Sequence, residues 1–229
     1  GEPDGDDGHG ILETQPQSTE AAEGDVGEDT DSDGVVGNDG DVLMIGRSVT
    51  EGLFLHWGWD WDGPLSHVGR TFSYHSVSGP PRIGEEAVAR IDQAPDGTIV
   101  FFKLCFVDFW ADNDDDIEYL LSENLVYVDE VLDAVRGRDI MLILGNALPK
   151  VRGETTSALV ELHRAYNEAL DGRAATADNV VVFDQYSLLV EADGSLRDGF
   201  AVSSSDSHLN SDAYDAYDAE LLALLDDLE

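Results

Sequence analysis

Ser48 and His208 are the two side chains whose types and settings suit covalent chemistry. Ser48 lies in I-G-R-S-V-T-E-G, directly behind the apolar run Val42–Gly46. A serine in such a strand-to-helix turn is either a hydrogen-bonding group at the helix N-terminus or a nucleophile whose own N–H helps to hold an oxyanion. The segment is not the G-x-S-x-G elbow, because Thr50 stands where that motif ends in glycine. His208 lies in S-S-S-D-S-H-L-N, just ahead of a helical stretch. A nucleophilic serine needs a base active near neutral pH, and imidazole is the usual one. Asp206, or another carboxylate, would orient the ring and stabilise its charged form. Taken singly, His208 reads as no more than the residue ahead of a helix capped by Ser211.

Among the elements that must position these residues, four continuous apolar runs stand out: Val42–Gly46, Thr98–Phe106, Ile140–Gly145 and Asn179–Asp184. Continuous rather than alternating apolarity marks strands covered on both faces, as in a parallel sheet. Thr71–Val77 is a weaker strand candidate. Between the runs, apolar residues recur at spacings of three and four. Leu121, Leu125, Val128 and Leu132 predict a helix over 115–136. Leu159, Leu162, Tyr166 and Leu170 predict one over 154–171, and Tyr214, Tyr217, Leu221 and Leu225 a last one over 211–228. Strands alternating with helices predict a three-layer α/β/α sandwich with a central parallel sheet, flavodoxin-like in arrangement. Sites in such sheets lie at the carboxyl ends of the strands. Ser48 after the first strand and His208 before the last helix then fall at one sheet edge. The pairing favours the nucleophile-and-base reading over either residue's plain one.

Charge narrows the function classes. The 229 residues hold 49 acids and 12 bases, a net charge of −37. Such a chain lacks the cationic footprint that nucleic acid demands, and anionic lipid would repel it. Residues 1–40 carry 13 acids and no Lys or Arg, and they are rich in glycine, so they read as a disordered acidic leader. The remaining 36 acids and all 12 bases give 41–229 a net charge of −24. High acid with only two lysines suits a salt-adapted surface, and a GC-rich genome gives a similar bias. No apolar run approaches the ~20 residues that span a bilayer. The leader suggests secretion or tethering to a surface.

Together the motifs resemble the SGNH (GDSL-like) hydrolases over roughly 41–229. F-K-L-C-F-V-D-F-W-A-D at 102–112 is similar to the KFCYVDF stretch of one subgroup, H-L-N at 208–210 to its C-terminal signature, and G-R-S-V to its nucleophile block. The resemblance implies a cofactor-free esterase with Ser48 as nucleophile and His208 as base. Its substrates would be small-molecule or glycan esters. The family's acid stands three residues before the histidine, where this chain has Ser205; Asp206 is two before, so either it orients the ring or a backbone carbonyl does. The oxyanion donors implied are the Ser48 N–H and a second-block glycine, Gly79 or alternatively Gly84. The family's third-block asparagine has no counterpart, since Val107 holds its place beside Asp108; Asn113 would have to swing back to replace it, and helix capping is its plainer role.

Other features are open. Trp57, Trp59 and Trp61, in H-W-G-W-D-W-D-G, would stack on a sugar, line an acyl pocket together with Asp108, or pack a loop onto the core. Cys105 reads as a small core residue, and a lone cysteine excludes an internal disulfide. His56, His67 and His75 offer no ligand spacing for zinc. In the leader, Asp29, Asp31, Asp33 and Gly34 spell half a calcium loop, but Gly40 stands where its closing Glu belongs, so a solvated linker is the better reading. The rivals to an esterase are a catalytically silent glycan-binding module on the same fold and a surface protein working through a calcium-binding leader.

Overall fold

The four continuous apolar runs form four adjacent parallel strands of one sheet. A computed structural model describes residues 40–228. The acidic leader and the half calcium loop lie outside the described residues, apart from Gly40. Eight strands and six helices follow in the order β1 (Val42–Gly46), α1 (Ser48–His56), β2 (Leu65–His67), β3 (Arg70–Ser76), α2 (Ile83–Ile91), β4 (Ile99–Lys103), α3 (Asp114–Val135), β5 (Met141–Gly145), α4 (Ser157–Ala174), β6 (Val180–Phe183), α5 (Gln185–Leu189), β7 (Ala201–Ser203), β8 (Asp206–Leu209) and α6 (Ser211–Asp227). The main sheet runs β2-β3-β1-β4-β5-β6, parallel throughout except for the antiparallel edge strand β2. β7 and β8 form a separate antiparallel hairpin.

Each central strand buries both faces because its neighbours differ on the two sides. Leu43, Ile45, Val100, Phe102, Leu142 and Leu144 face α2, α3 and α4. Val42, Met44, Ile99, Phe101 and Ile143 face α1, α5 and α6. The three-layer α/β/α sandwich read from the sequence is the observed fold. The Asn113 side chain caps α3, accepting from the N–H groups of Asp115 and Asp116, and the acids of the first turn suit the helix dipole.

Two local expectations are corrected. The apolar run 98–106 pairs as a strand only to Lys103, opposite Gly145, because the Cys105 N–H donates to the Asp108 carboxylate (2.8 Å) and turns the chain into a single 3₁₀ turn, Phe106–Asp108. The cap of α6 is Asn210 rather than Ser211, its side chain accepting from the Ala213 N–H at 3.1 Å. One helix falls outside those expected from the sequence: α2, nine residues held by Ile83, Ala87 and Ile91 at four-residue spacing.

Gly52 lets α6 approach α1. The Tyr214 hydroxyl sits where a Cβ on residue 52 would be and donates to the Val49 carbonyl at 3.1 Å. Gly52→Ala should therefore displace Tyr214 and lower stability by about 1–3 kcal/mol. A shift of the denaturant midpoint measures it, and an unchanged midpoint would contradict the packing account.

Candidate active site

Ser48 is the first residue of α1, at the carboxyl end of β1. Its N–H is one of the first-turn donors that a helix cannot pair internally. Across the opening, β8 carries Asp206 and His208. Residues two apart on a strand share a face, so the Asp206 and His208 side chains stand side by side while Ser207 and Leu209 turn to the core. The inward pair anchors the hairpin: the Ser207 hydroxyl accepts from the Val151 N–H at 3.0 Å and Leu209 is buried.

The resulting contacts form one chain of hydrogen bonds. His208 Nε2 lies 3.0 Å from Ser48 Oγ, and Nδ1 lies 2.6 Å from Asp206 Oδ1. The same carboxylate oxygen accepts the His208 backbone N–H at 3.0 Å. An ionised carboxylate only accepts, so it fixes the ring proton on Nδ1 and leaves Nε2 to accept the Ser48 hydroxyl. Accepting from both the backbone and the ring of His208 holds the Asp206 carboxyl below its ordinary value. The Phe106 ring stands edge-on to the imidazole with centroids 5.0 Å apart, and Cys105 Sγ is 3.9 Å from Ser48 Oγ. Buried Cys105 and Phe106 are thus the apolar wall of the site.

The other predicted site residues are placed as follows. Gly79 lies in the loop after β3, beside the guanidinium of Arg47. Gly84 is inside α2, packed against Glu130 of α3, and is away from the loop. Asn113 is not an oxyanion donor: both ends of its amide are engaged at the α3 cap, Oδ1 accepting from Asp115 and Asp116 and Nδ2 donating to Asp116. Asp108 does not face substrate. Its carboxylate is buried, accepts the Cys105 N–H and pairs with Arg47.

The tryptophans are also corrected. They follow the C-terminal end of α1, whereas Ser48 begins it, and nine helical residues put the two ends about 13 Å apart. Trp57 stacks on His67, packs at a tilt against Phe72 and donates to Asp218; Phe72 lies beside Val42 at the start of β1, the opposite sheet edge. Trp59 packs on Phe54 and Tyr74. Trp61 is 62% exposed and touches Trp59. Of the histidines there, His56 pairs with Asp215 and His67 with Asp218. The exposed large apolar side chains on the loops at the Ser48 edge are instead Val107 and Trp110 after β4 and Val202 on the hairpin.

Two cations were missed by sequence reasoning. Arg47, the residue before Ser48, pairs with buried Asp108. Lys103, at the end of β4, is fully buried, and its Nζ has no hydrogen-bond partner among the described residues. A lysine inside an otherwise apolar run was the available signal.

Comparison with known proteins agrees with this geometry at the level of fold. No family model matches the chain, and no curated protein matches it either. Solved structures do. A GDSL-like lipase of Bacteroides thetaiotaomicron is 11% identical, with 83% of this chain and 90% of that one aligned at a TM-score of 0.55. A catalytic mutant of an acetylxylan esterase of Geobacillus stearothermophilus is 15% identical over 83% and 95%, at 0.54. A Bacteroides fragilis protein described as an acylhydrolase is 16% identical over 83% and 88%, at 0.55. The chain has the fold of these hydrolases. At such identities that likeness concerns the backbone, and the side-chain chemistry rests on the distances above.

Lys103 gives a test of its burial. Removal from water pushes its pKa from 10.5 down to about 8. The folded state therefore carries the burial penalty in full below pH 8 and sheds it as pH rises from 8 towards 10.5, the unfolded value. Lys103→Met should be the more stable form at pH 7, by up to about 3 kcal/mol. The advantage should shrink on raising the pH through about 8 to 10 in parallel denaturant titrations. A mutant less stable than wild type at pH 7 would contradict this.

Proposed function

We propose that the chain is a serine esterase of the SGNH type, acting through an acyl-enzyme on carboxylic esters. The observation that carries this reading is the unbroken series Ser48 Oγ, His208 Nε2, His208 Nδ1, Asp206 Oδ1, with links of 3.0 and 2.6 Å. A serine used only as a helix-terminal group has no need of an imidazole held in one tautomer. The shared fold with acyl and acetyl esterases supports the reading.

In the reaction, His208 Nε2 takes the Ser48 proton as Oγ bonds to the ester carbonyl carbon. The carbonyl π electrons move to oxygen, where the Ser48 and Gly79 N–H groups hold the negative charge. As the tetrahedral intermediate collapses, the bond to the alkoxy oxygen breaks and imidazolium protonates the departing alcohol. Water then repeats the sequence on the acyl-enzyme, releasing acid and free Ser48. Asp206 stabilises the imidazolium in both halves.

Neutral acetylated glycans are the substrate class we favour. Residues 41–229 carry a net charge of −24, which repels anionic esters. Trp110, 48% exposed at the Ser48 edge, offers a flat apolar face for a sugar ring, one of the parts that the sequence reading left open for Trp57, Trp59 and Trp61. One of the structural neighbours is itself named an acetylxylan esterase.

Ser48→Ala should lose about 10⁴-fold or more in kcat on a small acetyl ester, and a fluorophosphonate should label the wild type but not the variant. Undiminished turnover in Ser48→Ala would refute the assignment. Asp206→Asn should cost less, about 10², the low end for a positioned acid–base system, because the Asp206 side chain is 43% exposed and water shares its task. A steady-state assay reads this directly; an unaffected kcat would mean that another group orients the ring.

A further inference from the structure

We propose that Arg47 is a catalytic residue whose guanidinium donates to the oxyanion, making good the absence of an amide side chain at this edge of the sheet. The inference rests on the esterase reading and goes beyond it by naming a donor.

The argument starts from sheet order. β1, which delivers Ser48, lies between β3 and β4, so the loops leaving β3 and β4 flank the nucleophile on its two sides. Any donor other than the Ser48 N–H must come from those loops or from something lying across them. The loop after β3 offers the Gly79 backbone. The loop after β4 offers no amide or hydroxyl side chain at the positions where one is expected: Val107 is apolar and exposed, and Asp108 is a buried carboxylate that only accepts. Asn113, further along, is committed to its helix cap.

Arg47 lies across both loops. One end of its guanidinium pairs with Asp108 after β4, and Nη1 comes within 3.4 Å of where a Cβ on Gly79 would stand after β3. The side chain is therefore tied down at a fixed height beside Ser48, its own chain neighbour. Asp108 is held in turn by the Cys105 N–H at 2.8 Å, and its carbonyl by the Asn124 amide at 3.1 Å, so the anchor is itself rigid. A guanidinium carries five N–H donors in a fixed plane. Asp108 is the only partner of this one among the described residues, which leaves N–H groups unpaired. The Arg47 side chain is 19% exposed where the Asp108 side chain is 1% exposed, and Nη2, the nitrogen that pairs with Asp108, is buried, so the ion pair is the inward part of the side chain. A charge-assisted donor is roughly twice as strong as a neutral one. Its partner carboxylate neutralises it in the ground state and leaves a donor in place when the oxyanion appears.

The competing account is that Arg47 only neutralises Asp108. Removing both charges separates the two. The variant Arg47→Met combined with Asp108→Asn leaves no buried charge in this pair, and the amide oxygen introduced at position 108 can still accept the Cys105 N–H. The assay is steady-state hydrolysis of a small acetyl ester, with folding followed by thermal melting and rates expressed per folded protein. The double variant is expected to lose about 10²–10³ in kcat, with KM changed by less than about threefold, because the interaction is made only as charge develops. A kcat loss below about tenfold, or one matched by a rise in KM, would overturn the assignment. Arg47→Lys keeps charge and ion pair, and hence the fold, but lacks the planar fork; it should lose at least about tenfold in kcat. A Lys variant at full kcat would likewise overturn it. Ser48→Ala is run alongside. An active Ser48→Ala would refute the esterase reading itself, whereas inactive Ser48→Ala with fully active Arg47 variants would refute only the role of Arg47.

Discussion

The site depends on a 3.0 Å hydrogen bond between groups 160 residues apart, Ser48 on the first helix and His208 on the last strand. Holding it requires the two ends of the chain to be fixed on the same face and edge of the sheet. α1 and α6 share that face, and the Tyr214 hydroxyl set against Gly52 fixes how closely they pack. The hairpin that bears His208 is pinned from behind by Ser207 on Val151 and from the side by the Asn210 amide on the Gly199 and Ala201 carbonyls, at 2.7 and 3.2 Å. Each of these contacts binds backbone to side chain between separate segments. The position of the imidazole is therefore a property of the whole layer rather than of the S-D-S-H-L-N segment.

That constraint also explains how an acid two residues before the histidine reaches its ring. In an extended strand, alternate side chains share a face, so a spacing of two places carboxylate and imidazole together. Asp206–Leu209 is such a strand, and the Asp206 oxygen is close enough to take both the ring and the backbone N–H of His208. A spacing of three needs a turn between the two residues. The choice of acid and the local secondary structure are thus one choice, and Ser205, in the turn between β7 and β8, is left to other contacts.

Much of this was legible in the chain. The continuous apolar runs gave the central strands because burial on both faces leaves no room for alternation, and Ser48 and His208 were found because strand order brings them to one edge. What stayed hidden depends on distance in space. The tryptophans are near Ser48 in sequence, yet nine helical residues carry the chain to the other edge of the sheet. Asn113 resembled a donor only by its nearness to Asp108, and the acids beside it, Asp114 to Asp116, show why a cap was the better reading. Asp108 looked like a residue facing substrate because its motif lies at a strand end. Its burial follows from a 3₁₀ turn that the apolar pattern of 98–106 concealed. Arg47 carried no sequence signal beyond its adjacency to Ser48.

The distribution of the scarce bases bears on the chemistry. A chain with 49 acids keeps its exterior negative, and most of its arginines meet carboxylates at the surface, where such pairs contribute little. Arg47 and Lys103 are different: both lie inward at the carboxyl ends of β1 and β4, with Asp108 as the one acid that pairs with either among the described residues. Two cations and one anion leave that region net positive whenever Lys103 is charged. Surface acids act through water and are screened within about 10 Å at ordinary ionic strength, whereas the interior charges act through a medium of lower dielectric. A negative charge developing on a carbonyl oxygen at Ser48 would then feel the inner cations more than the outer acids. An acidic exterior is compatible with the proposed oxyanion-stabilising interior for that reason, and raising the salt concentration weakens the field of the first while leaving that of the second largely in place.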